Sequence, residues 1–232
     1  MHKAMLGAAV VAALSISSAA SAAVLDDFNR ADAGTLGAGW TQQVGSAGIS
    51  GNQATGTAGA APSLATFNAG TGNLVSFDIT NVGTDTQYIA AVLGYGAGTN
   101  IFVKVQNNGG TSAFDRYGFY TGNNGQTGPF GSLTTSFDTG HVEVSFAGTI
   151  ATLTITPTLG AVQVYQHDYG FALVGNGTGL GFYGPALADN FGSGGRVGTP
   201  GVPEPASWAM MIAGLSLIGL SLRRRKVAAS FA

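Results

Sequence analysis

Between Val24 and about Gly192 apolar and polar residues alternate in short runs. In NLVSFDIT, Val75, Phe77 and Ile79 fall on one side and Ser76, Asp78 and Thr80 on the other. In NIFVKVQ, Ile101, Val103 and Val105 oppose Phe102, Lys104 and Gln106. HVEVSF sets Val142, Val144 and Phe146 against His141, Glu143 and Ser145. ATLTIT repeats the pattern with Ala151, Leu153 and Ile155, and AVQVYQ with Val162 and Val164. A period of two puts one side of each run in a core and the other in water. No segment here keeps helical spacing. AGTGN, NNGG, GNNG and AGT separate the runs, and their Gly and Asn residues supply the positive φ of tight turns. Short antiparallel strands with Gly-rich turns predict an all-β sandwich or barrel. The region runs to roughly 170 residues, more than a seven-strand sandwich needs, so a larger jelly roll of two antiparallel sheets is expected.

The two ends of the chain break this pattern. MHKAMLGAAVVAALSISSAASAA has a short cationic start with Lys3, an apolar run and a small-residue exit at Ala20-Ser21-Ala22. That is the layout of a secretory signal peptide over residues 1–22, cleaved after Ala22. Past Phe191 the chain reads GSGGRVGTPG, a flexible linker by composition, then Val202-Pro203-Glu204-Pro205. From Ala206 to Leu222 no residue is charged. As a helix that run rises roughly 25 Å, somewhat less than the ~30 Å of a bilayer's hydrocarbon core. Trp208 suits the outer interface, and Arg223, Arg224, Arg225 and Lys226 act as a cytoplasmic stop-transfer cluster. The expected organisation is a signal peptide over 1–22, a sandwich over 23–194 and a linker over 195–202. A terminal signal over 203–226, with its span at 206–222, and a tail over 227–232 complete it.

Composition narrows the function classes. Charged residues make up 9% of the chain and cysteine is absent, which excludes disulfides and thiolate metal sites. Between Ala23 and Gly201 ten carboxylates face four cations (Arg30, Lys104, Arg116 and Arg196), a formal −6. No basic patch exists there, so a nucleic-acid partner is not expected. Glu143 and Glu204 are the sole glutamates. His141 and His167 lack the spacing of a zinc pair, and no G-x-S-x-G elbow occurs. GLGFYG, residues 179–184, satisfies G-x-G-x-x-G, but its setting is all β, so it reads as strand glycines near a turn. Tyr117, Phe119, Tyr120, Tyr165, Tyr169, Phe182 and Tyr183 offer flat rings for stacking on sugars, a role that competes with core packing.

Two resemblances add to this reading. LDDFNRADAGTLGAGWTQQVGSAGISGNQATG resembles the opening of concanavalin A-like lectin/glucanase domains, through Asp27, Phe28, Arg30, Trp40, Ile49 and Asn52. GLGFYGPALADNFGSG resembles their closing strand, with Asp189 and Phe191 in the matching places. The resemblance implies that the first and last strands pair, bringing Asp26, Asp27 and Asp189 together. It leaves open a structural Ca²⁺ at Asp27 and Asp189, the expectation otherwise being no cofactor. The glucanases of that family carry two carboxylates on one strand, and this chain lacks that cluster, so no catalytic residue is expected.

The tail closely resembles the PEP-CTERM sorting signal of Gram-negative bacteria, in the order V-P-E-P, Trp208, apolar span, Arg cluster. That resemblance implies recognition of Pro203, Glu204 and Pro205 by exosortase, a membrane protease-transpeptidase. It implies passage through the secretion translocon, a transient stay in the inner membrane, and release or attachment at the cell surface. The expectation is a non-enzymatic surface or matrix protein whose domain binds exopolysaccharide. A glycan-active hydrolase of the same fold and a purely structural or adhesive protein stay open as alternatives.

Overall fold

The computed structural model describes residues 22–57, 62–122 and 130–194. These residues lie within the first of the chain's two units, Met1–Val197; the second, Gly198–Ala232, falls outside them. The expected signal peptide up to Ser21, the Pro-Glu-Pro motif, the apolar span and the Arg cluster are therefore outside the described residues.

Fifteen strands form the described chain, with no helix among the described residues. They are β1 (Val24–Asp26), β2 (Trp40–Val44), β3 (Ala47–Ser50), β4 (Gln53–Gly56), β5 (Ser63–Thr71), β6 (Leu74–Thr80), β7 (Gln87–Tyr95), β8 (Ile101–Asn107), β9 (Phe114–Thr121), β10 (Phe130–Phe137), β11 (Thr139–Ala147), β12 (Ile150–Pro157), β13 (Gln163–Asp168), β14 (Gly177–Tyr183) and β15 (Leu187–Gly194). Eight strands make one sheet, in the order β13-β12-β11-β6-β15-β4-β3 with β1 beside β15. Seven make the other, in the order β10-β9-β8-β7-β14-β5-β2.

One core joins the two sheets. Val75, Phe77, Ile79, Val142, Val144 and Leu153 from the eight-stranded sheet meet Ile89, Ala91, Leu93, Val103, Val105 and Phe119 from the seven-stranded one. A buried hydrogen bond of 2.7 Å between Thr178 and Ser193 also crosses the gap. The fold is thus an all-β sandwich of two antiparallel sheets. The first and last strands pair as anticipated, Val24 opposite Gly192 and Asp26 opposite Phe191.

The opening motif acquires a physical meaning. Asp26, one residue before the aspartate the sequence suggests, is its centre. Its Oδ1 accepts from the Phe28 N–H and from Arg30 Nη1, both at 2.8 Å. Its Oδ2 accepts from Arg30 Nη2 at 2.8 Å and from Trp40 Nε1 at 2.6 Å. Burial pushes this carboxyl up, but those donors outweigh burial and hold it below its ordinary value. The Trp40 ring lies 5.6 Å from Phe28, 5.2 Å from Phe67 and 4.9 Å from Phe191. Asp26 sits on β1 of one sheet and Trp40 on β2 of the other, so the network clasps both layers. Phe28 reaches the core with a φ of 49°, which turns the chain sharply after β1.

Two expectations of alternation are corrected. In β13 the side that faces inward carries Gln163 and Tyr165, whereas Val162 and Val164 are 56% and 57% exposed. Gln163 is held inside because its amide accepts from Thr135 N–H and donates to the Thr135 carbonyl. Tyr165 stacks on Tyr117 at 3.9 Å. A satisfied amide and a stacked ring outweigh two valines at the margin of a sheet. In β8 the side expected to face water, Phe102, Lys104 and Gln106, is buried as well. The reason lies on the outer face of the seven-stranded sheet.

Candidate functional site

On that outer face the strand registers line side chains into three rows. The middle row crosses Gly181 on β14, Ala90 on β7, Lys104 on β8 and Gly118 on β9. On one side runs Tyr183, Tyr88, Gln106 and Arg116; on the other, Gly179, Val92, Phe102 and Tyr120. Apart from Lys104 the middle row is built of the smallest residues, flanked by rings. The rings lean into the furrow. A Cβ on Gly181 would collide with the Phe102 ring, and one on Gly118 with the Tyr120 ring. Leu64, Tyr88, Ala90, Val92, Phe102 and Tyr120 thereby form a second small apolar cluster, separate from the main core.

Lys104 stands in the middle of this cluster, 5% exposed. Its Nζ lies 4.5 Å from the Tyr88 ring centroid and 4.4 Å from that of Tyr120. A desolvated cation over two ring faces gains on the order of 2 kcal/mol from each. Burial nevertheless lowers its pKa to about 8. Burial also raises the phenols of Tyr88 and Tyr120, so both stay neutral beside it. Tyr88 packs edge-on to Phe102 and stacks on Tyr183 at 5.7 Å.

The aromatic residues singled out in the sequence divide between the layers. Phe119 and Phe182 belong to the main core, against which Tyr117, Tyr165 and Tyr169 also pack. Tyr120 and Tyr183 belong to the outer furrow. Sequence reasoning missed Tyr88 and Lys104. A usable signal was present: QYIAAVLGY is apolar at almost every position, the mark of a strand covered on both faces. GLGFYG lies in β14 and the turn after it, as strand glycines.

Three of the ten carboxylates among the described residues stand on the opposite outer face. There Asp189, Asp78, His141 and Thr156 form one row across β15, β6, β11 and β12, with Ser76, Glu143 and Thr154 in the next. His141 Nδ1 lies 2.7 Å from Asp78 Oδ1, and Asn190 Nδ2 donates to Asp78 Oδ2 at 2.8 Å. Burial raises the Asp189 carboxyl, and the charges of Asp78, Asp27 and Asp26 raise it further. A shallow hollow of about 380 Å³ opens beside them, lined by Asp78, Thr80, Thr139, His141 and Thr156 among others. Asp27 is exposed and accepts from the Asn29 N–H. Asp26 is committed to Arg30 and Trp40. Among the described residues no group of three or more His, Asp or Glu is arranged to hold a metal ion.

No curated protein matches the chain in sequence. Among solved structures the chain is similar to the carbohydrate binding module CBM66 from Bacillus subtilis, at 17% identity over 68% of this chain and 94% of that one, with a TM-score of 0.45. It is similar to a legume lectin-like domain from Entamoeba histolytica, at 6% identity over 68% and 91%, with a TM-score of 0.45. It is also similar to a xylan beta-1,4-xylosidase from Bacillus halodurans C-125, at 11% identity over 78% of this chain and 41% of that one, with a TM-score of 0.43. Within the sequence, residues 201–226 match the PEP-CTERM protein-sorting motif. The chain therefore joins a two-sheet antiparallel β-sandwich to a PEP-CTERM protein-sorting motif.

Proposed function

We propose that the chain is an exported cell-surface or matrix protein, sorted through its tail, whose sandwich holds polysaccharide without cleaving it. The motif at 201–226 carries the sorting half of this reading. The export leader over 1–22 directs the chain through the translocon, and exosortase recognises Pro203-Glu204-Pro205. Trp208 and the cluster Arg223–Lys226 hold the tail in the inner membrane of a Gram-negative bacterium until cleavage. The three-row furrow of the seven-stranded sheet carries the binding half. Tyr88, Phe102 and Tyr120 are buried in it, and the half-buried Tyr183 at its margin is the ring on which a pyranose face would stack.

One observation favours a second reading, a glycan hydrolase. Asp78 and Asp189 are direct neighbours, with the Asp189 carboxyl raised by burial and Asp78 hydrogen-bonded to His141 and Asn190. Reducing-sugar release from a bound polysaccharide, lost in Asp189→Asn, is the result that reading requires.

Mass analysis of the mature protein from the producing cells tests the sorting half. Termini after Ala22 and near Glu204 are expected. A surface form that keeps Arg223–Lys226 overturns it.

A further inference from the structure

The furrow holds a cation that the fold alone does not explain. The Lys104 ammonium makes no hydrogen bond or ion pair to any described residue; its contacts are the rings of Tyr88 and Tyr120. Yet it is not sealed in. Among the described residues the fully enclosed side-chain polar atoms without a partner are Arg30 Nε and Ser63 Oγ. The Lys104 stem is buried while its tip reaches solvent. A methionine would fill the same space without the desolvation that drags the lysine down to about 8.

Charge is also sorted between the two outer faces. Three cations (Arg30, Lys104 and Arg116) stand among the described residues against ten carboxylates. Two of the three, Lys104 and Arg116, occupy the rows of the furrow, and those rows contain no carboxylate. The opposite face carries Asp78, Glu143 and Asp189. Arg116 has the Asp115 carboxylate 3.9 Å from its Nε, which leaves Lys104 as the furrow cation without a carboxylate partner. A half-desolvated, unpaired ammonium in a row without carboxylates is built to meet a negative charge there.

We propose that Lys104, over Tyr88 and Tyr120, is the subsite for the carboxylate of an acidic sugar, so that the ligand of this domain is a uronate-bearing polysaccharide. The proposal rests on the reading of the sandwich as a glycan-binding domain. The ammonium is a compact point charge, suited to a single carboxylate, and its low-dielectric setting strengthens the pairing. The pyranose ring lies outside the buried rings, against the half-buried Tyr183 at the margin of the furrow. The groups facing Lys104 are Tyr88 from β7, Tyr120 from β9, and the uncharged Gly181, Ala90 and Gly118 of its own row. Arg116 and Gln106 stand in the next row. Lys104 is thus the group whose charge changes near pH 8, and affinity for a carboxylate is lost as pH rises through that value.

The test is calorimetric titration of the full chain in detergent micelles with polygalacturonate, dextran sulfate and neutral dextran. Polygalacturonate is expected to bind, about tenfold more tightly at pH ~6.5 than at pH ~9.5, where Lys104 is neutral and the uronate still ionised. Lys104→Met removes that gain at low pH and flattens the pH profile while leaving thermal stability undiminished. Lysine-selective NMR of the wild-type chain gives a second reading, in which the Lys104 titration moves upward when polygalacturonate is present. Binding of dextran with no preference for polygalacturonate overturns this inference and leaves the glycan reading standing. Binding of both polyanions that Lys104→Met does not weaken also overturns it, as charge attraction elsewhere. Failure to bind all three sinks both readings.

Discussion

The two outer faces of the sandwich are made from the same period-two strands and end up as opposites. The eight-stranded sheet turns Ser76, Asp78, His141, Glu143, Thr154 and Thr156 outward, a polar face on which Asp78 bonds His141 and Asn190. The seven-stranded sheet turns Tyr88, Phe102, Lys104 and Tyr120 outward and buries them. The difference comes from the row between the rings. Gly181, Ala90 and Gly118 leave a furrow into which Phe102 and Tyr120 fold, so the outer face packs on itself. Burial on a sheet's outer face is thus decided by the neighbours of a residue as much as by its own polarity.

The strongest way to break this contrast is to fill the furrow. Gly181→Val drives a side chain into the Phe102 ring and is expected to cost about 3 kcal/mol in urea unfolding. Thr154→Val on the opposite face stays within ~0.5 kcal/mol.

Next comes the clasp that joins the layers. Asp26→Asn leaves Arg30 without its carboxylate and is expected to cost roughly 2–3 kcal/mol at neutral pH. Because the folded Asp26 carboxyl lies below its unfolded value of 3.8, its contribution is present above that pH and lost as pH falls beneath it. Acid unfolding of the wild-type chain is therefore expected to converge on that of the variant.

Lys104 gives a slope of the same sign in the alkaline range. Its folded pKa, about 8, lies below the unfolded 10.5, so the charged form destabilises the fold below pH 8. That penalty is relieved between pH 8 and 10.5. Stability is expected to rise by on the order of 1 kcal/mol from pH ~8 to ~10, before the raised tyrosines reverse the trend. Lys104→Met lacks the rise and is the more stable protein at pH ~7. Thermal melts across that range decide it.

The smallest effect belongs to the solvated face. Asp78→Asn breaks the contact with His141, but both side chains are close to half exposed, so stability moves within ~0.5 kcal/mol.

Much of the fold was legible in the sequence because alternation reports one-sided burial faithfully. β6, β11 and β12 lie as NLVSFDIT, HVEVSF and ATLTIT imply, and the terminal strands pair. Alternation fails where a second packing layer exists. Lys104 reads as a solvent residue because nothing local in NIFVKVQ records that Ala90 and Gly118, far away in the chain, stand beside it. It fails again at β13, where the Gln163–Thr135 pair joins residues on different strands and reverses the face. The aspartate of the opening motif was misplaced by one residue for a simpler reason. Asp26 and Asp27 are adjacent and chemically equal, and the folded chain distinguishes them by aiming the Phe28 N–H, the Arg30 guanidinium and the Trp40 indole at Asp26.

The place of β14 and β15 in the sheets has a consequence for how the molecule is made. β14 lies between β7 and β5, and β15 between β6 and β4, so each sheet is zipped shut through its middle by a strand synthesised at the very end. Until Gly177 and the residues after it have emerged, both layers are split into halves with unpaired edges. Closure then waits on long-range contacts and is slow. A growing chain of this design stays threadable almost to its last strand, the condition a polypeptide must meet to slip through a narrow pore before it sets.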